Sequence, residues 1–174
     1  MNTEEYIYED MDRLHGMFSL MAYWRDEVLR YWVLLGDLDQ LIADRDNMDY
    51  SEFTRSYPAA RAAARRIKED LKRNFGGHRR RINTEPDTRD LINGFVDAED
   101  DISSLMQRRE TVESCLHYRR DAEAEAEVYR RDLDWVDNKL REVAARRQGF
   151  IDSLEEQVRV DSLEKESLEG KVST

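Results

Sequence analysis

His15, His78, His117 and Cys115 are the side chains of this sequence best suited to ligating a metal or attacking a carbonyl near neutral pH. Their spacing argues against both. Cys115 and His117 are two residues apart, and on a helix such residues point to different faces, so no thiolate–imidazole pair can form. Glu113 and His117, four apart, share a helix face, but a di-iron bundle needs Glu-x-x-His on two helices, and that motif is absent. One cysteine and scattered histidines do not make a zinc set, and a single cysteine cannot form an internal disulfide. The pair Gly76-Gly77 lacks the further glycines and the Lys-Ser/Thr of a nucleotide cradle. The many carboxylates fall on polar faces, not in pairs within apolar surroundings where acid–base catalysis would need them. The expectation is no enzyme, no metal, no cofactor and no small-molecule substrate.

Arginine is the stronger signal. Of 28 lysines and arginines only Lys68, Lys72, Lys139, Lys165 and Lys171 are lysine, and arginine favours multidentate pairing with carboxylates or phosphates. Positive charge gathers between Arg61 and Arg81, around RRIKEDLKRNFGGHRRR, with nine basic residues against Glu69 and Asp70. The flanks are acidic: residues 1–60 hold 13 acidic and 5 basic side chains, residues 82–174 hold 24 and 14, and the chain carries -11 overall. Arg65, Arg66, Lys72, Arg73, Arg79, Arg80 and Arg81 are the candidate anion-binding set. Phosphates would be held there with release of counterions. Single-strand binders also offer aromatics for stacking, and the segment has only Phe75. Pairing with acidic helices of this chain or of a partner protein is therefore the favoured use, and nucleic acid or another polyanion the alternative.

The elements that must carry these charges are helices. Charged residues make up 39% of the chain and hydrophobic ones 40%, with only seven Gly and two Pro, a mixture that belongs to amphipathic helices rather than sheets. From Thr3 to Asp46, Leu14, Met17, Met21, Trp24, Val28, Tyr31, Leu35, Leu38 and Ile42 follow one another at steps of three and four, which predicts one long helix with an apolar face. A second helix carries Tyr50, Phe53, Tyr57, Ala60, Ala64, Ile67 and Leu71, with Ser56 as a candidate cap before Pro58 and Gly76-Gly77 as a stop.

A third helix is expected from Asp87 or Thr88. Its first seam is Leu91, Phe95, Ala98, Ile102, Leu105, Val112 and Leu116, interrupted by Arg109. Apolar residues then almost vanish in HYRRDAEAEAE, and a second seam follows: Leu133, Val136, Leu140, Val143, Phe150 and Leu154, interrupted by Arg147. No Gly, Pro, Ser or Asn stands between Ser114 and Asn138, so one continuous helix to about Val158 is favoured over a break near Asp121.

The fold class expected is all-α: an antiparallel helical bundle of three long helices, or four if the last one breaks, with a coiled-coil extension. Residues 1–116 form the bundle, 117–160 the extension and 161–174 a polar, frayed tail. The extension would outrun the bundle, and its seam of Leu133, Val136, Leu140, Val143, Phe150 and Leu154 would then need another chain. This predicts a non-enzymatic interaction or assembly protein that self-associates. No apolar run approaches the roughly 20 residues of a membrane span, and the acidic start Met1–Glu5 does not resemble a signal peptide. A soluble, cytoplasmic or nuclear protein is expected.

Overall fold

The computed structural model describes residues 3–77, 86–119 and 122–172. Among these there is no strand. Four α-helices follow in order: α1 (Thr3–Asp44), α2 (Tyr50–Asn74), α3 (Thr88–Arg119) and α4 (Glu123–Val172), with a single 3-10 turn, Arg45–Asn47, between the first two. No helix among the described residues is long and apolar enough to cross a membrane.

Local chemistry sets most of the ends. At the close of α2, Gly76 and Gly77 take φ values of 97° and 72°, a region that side chains with a Cβ avoid. Their amides then donate to Asn93 Oδ1 at 3.0 Å and Asp97 Oδ1 at 2.9 Å, so the chain that leaves α2 is tied to α3. A Cβ on Gly76 would also press on Val96. At the start of α3, the Asp90 amide donates to the Asp87 carboxylate and the Asp87 amide to the Asp90 carboxylate, at 2.8 and 3.3 Å. This reciprocal pair satisfies two amides that a helix start leaves unpaired. The α2 start differs from expectation: the helix begins at Tyr50, so Ser56 is not a cap and Pro58 lies inside the helix.

The helices form two antiparallel hairpins. In the first, Trp24 meets Phe75 edge to face and Arg45 sits over Phe53, so residue numbers on α1 and the α2 side sum to nearly a constant. In the second, Arg109 pairs with Asp137, Asp101 with Arg146 and Thr88 with Gln157. The hairpins meet in one apolar hub to which all four helices contribute: Val28 and Tyr31; Ala64, Ile67 and Leu71; Leu91, Ile92, Phe95 and Val96; Ile151 and Leu154, with Phe75 beside them. Fully burying one large aliphatic side chain is worth about 1.5–3 kcal/mol, so this hub is the main stabilising region.

The continuous third helix is overturned. It ends at Arg119, and α4 starts at Glu123 and runs back along α3, the most extensive pairing in the molecule. The Ala122 amide donates to the Arg119 carbonyl at 3.0 Å, and Ala126 begins the new helical ladder from Ala122. Bending sacrifices a few backbone hydrogen bonds, each worth about 1 kcal/mol net. In return Val112, Ala126, Val136 and Val143 become buried between the two seams, and Ile151 and Leu154 reach the hub. Several buried aliphatics outweigh a few exposed helix hydrogen bonds. The swing of the apolar face between the two seams, read along one helix, is the mark of two helices facing one another.

Candidate interaction surfaces and the buried polar junction

The six residues expected to bind another chain serve this one. Val136, Val143 and Leu154 are buried, Val136 and Leu154 to 0% exposure, and Leu133, Leu140 and Phe150 are half-buried. Phe150 owes its seat to Gly94 of α3: a methyl built on Gly94 would land on the Phe150 ring. The seam that was to project as a stalk is thus spent against the chain's own helices.

At the hub lies a polar junction to which each helix gives one side chain. Glu99 of α3 is buried, with 7% of its surface exposed. Tyr31 of α1 donates its hydroxyl to Glu99 Oε2 at 2.6 Å, and Arg147 of α4 donates Nη1 to Oε1. Lys68 of α2 stands 4.0 Å away and donates to Ser103 at 3.1 Å. The Arg147 guanidinium lies over the Trp32 ring, 4.9 Å from its centre, and Tyr31 and Trp32 both meet Phe95 edge to face. Burial, and then the neighbouring carboxylate, push the Tyr31 phenol well above its ordinary range, so it stays a neutral donor. A buried carboxylate is tolerated only when such partners replace its water. The void beside it, about 10 Å³, admits nothing larger than a water molecule. The junction joins side chains from all four helices.

Glu99 stood out in no motif. Its signal was available in two places. It falls four residues after Phe95 on the apolar line from Leu91, and Arg147 interrupts the facing seam. The other interruption, Arg109, has the same explanation at the surface: it pairs with Asp137 of α4 and Glu113 of its own helix.

The basic segment divides. Lys68 and Lys72 reach α3, the latter meeting Asp100 at 2.9 Å. Arg65 and Arg73 pair along α2 with Glu69 and Asp70, at 3.1 and 3.5 Å. Arg55, Arg61 and Arg66 are exposed and have no ion pair among the described residues. Of the candidate anion-binding set, Arg65, Arg66, Lys72 and Arg73 therefore share the exposed side of one helix, while Arg79, Arg80 and Arg81 lie outside the described residues.

A second surface, missed in the sequence, is the open end of the molecule. Because α2 stops at Asn74 and α3 starts at Thr88, the first part of α1 and the last part of α4 run on past both. Arg25 of α1 and Asp161 of α4 pair there at 2.7 Å, and a groove of about 510 Å³ opens between them, lined by Ser19, Met21, Ala22, Thr88 and Gln157. Beyond the pair apolar side chains are bare: Met17 is 53% exposed and Leu168 64%, and Leu20, Val160 and Leu163 are exposed as well. Their signal was the stripe itself, which continues past the level at which α2 stops and α3 starts.

No group of three or more His, Cys, Asp or Glu side chains among the described residues is arranged to hold a metal ion. Comparison with protein-family models, with curated proteins and with solved structures finds no match.

Proposed function

We propose that this chain is a non-enzymatic helical interaction and assembly protein that self-associates, and that it does so through the open end rather than through the seam of Leu133–Leu154. The supporting observation is the uncovered apolar stripe. Met17 and Leu20 continue the line of α1 that is sealed at Val28 and Tyr31, and among the described residues neither α2 nor α3 extends to cover them. Sedimentation velocity across a concentration series tests the reading. Wild-type protein should shift from monomer to larger species as concentration rises, and Met17→Asp with Leu20→Asp should hold it monomeric while its helical signal is kept. A wild-type monomer at every concentration and salt level removes the proposal.

A second reading is polyanion binding by α2. It is supported by Arg61 and Arg66, whose exposed guanidiniums have no carboxylate partner among the described residues. Filter binding of DNA and RNA across salt checks it: affinity should fall steeply with salt and weaken when Arg61 and Arg66 become Ala.

A further inference from the structure

We infer that the counter-surface for the acidic open end is the outward face of α2 on a second copy, so that copies meet head to tail. This rests on the self-association reading and names its partner surface. The reasoning is one of charge. Among the four helices α2 alone is positive, with seven basic and three acidic side chains. In α1 the balance is three basic to ten acidic, in α3 four to seven, and in α4 nine to fourteen. Two of the three acids of α2 are engaged by Arg65 and Arg73, and two of its cations by α3. Arg55, Arg61 and Arg66 remain on the exposed side, with Ala59 and Ala62 between them, so the guanidiniums stand above a low surface.

The open end has the opposite character. From Glu155 to Val172, α4 carries six acidic and three basic residues, all but Gln157 and Val158 on well-exposed positions. Glu155, Glu164 and Glu166 have no ion pair among the described residues, and Val160 and Leu163 lie exposed among them. Pairing two such ends like to like would press carboxylates together, a cost of several kcal/mol in charged interfaces. Docking the end on α2 pairs opposite charges instead, and lays Val160 and Leu163 over the alanines. The two surfaces lie on different parts of the molecule, so the contact is heterologous. Repeated, it makes rings or open chains rather than a closed two-fold dimer.

Complementation by charge reversal tests this. One variant carries Arg61→Glu and Arg66→Glu, the other Glu164→Arg and Glu166→Arg. All four positions are exposed, and circular dichroism checks that both variants stay folded. At about 50 mM salt each variant alone should associate at least about tenfold more weakly than wild type, because exposed charge pairs are little screened there. Mixed in equal amounts they should re-form a complex of alternating variants, since the native acidic end of the first meets the native α2 of the second and the two reversed surfaces complement one another. Wild-type association that survives both reversals, or a mixture that does not re-form the complex, overturns the inference while leaving self-association standing. A wild-type monomer at low salt removes the underlying reading as well. Loss of duplex DNA binding in the first variant, with self-association unchanged, also overturns it and assigns the α2 face to a polyanion.

Discussion

The same two helices, α1 and α4, pass through the hub and through the open end, and their fates differ completely. At the hub, Val28 and Ile151 are sealed from water and Arg147 meets a buried carboxylate. A few turns further, Met17 and Leu168 are bare and Arg25 meets the exposed Asp161. The stripes are similar in kind, and helix propensity is no worse at the end. What changes is the neighbourhood, since Gly76 and Gly77 stop α2 and the Asp87–Asp90 pair starts α3 at about the same level. A helix face becomes core or exposed surface according to where other helices end.

Replacing the two acids separates the regions most strongly. Glu99→Ala should destabilise the fold by about 3–5 kcal/mol in urea unfolding, because it leaves the Arg147 guanidinium and the Tyr31 hydroxyl without their acceptor. Asp161→Ala, which breaks an ion pair whose acid is more than half exposed and whose Arg25 is largely buried, should cost less, about 1–2 kcal/mol. Equal losses would mean that the junction is no more protected than the surface.

The two glycines come next. Gly94→Ala should cost about 1–3 kcal/mol, since the new methyl must push the Phe150 ring out of its seat between α3 and α4. Gly16→Ala, with open space around it on α1, should raise thermal stability by about 0.5–1 kcal/mol through helix propensity alone. A loss at Gly16 would show that the end is packed after all.

The last contrast concerns pH. Because the folded state holds the Tyr31 proton more tightly than an ordinary phenol at 10.0, the folded form binds more protons above that pH. Stability from this group is complete below about pH 10 and falls as pH rises further. Tyr31→Phe should cost about 1 kcal/mol at neutral pH by loss of the hydrogen bond to Glu99, and it should flatten the alkaline decline. Unchanged alkaline unfolding in the variant would show that other groups govern it. Sedimentation of the open-end variants then sharpens the comparison from the other side, with little change expected in monomer stability.

Much of this was legible in the residues. The steps of three and four from Leu14 to Ile42, the alanines and Leu71 of α2, and the stop at Gly76-Gly77 each report a local preference, and the helices lie where those preferences put them. Arg109 and Arg147 were visible as breaks in apolar seams, and each proved to have a carboxylate waiting on the neighbouring helix. The turn after Arg119 was not legible, because HYRRDAEAEAE contains strong helix formers and no breaker. The six seam residues from Leu133 to Leu154 showed that they needed cover but not whose.

The sequence by itself determined that the chain is helical, which face of each helix is apolar, and that the positive charge is concentrated on one helix. Those properties depend on neighbours within about four residues, through backbone hydrogen bonds and side-chain spacing. Only the tertiary structure decided that α4 folds back on α3, that Glu99 gathers Tyr31, Lys68 and Arg147, and that α1 and α4 run on past the ends of α2 and α3. Each of these joins residues tens of positions apart, where the balance between buried area and a broken helix turn is settled by the whole arrangement and by no single segment.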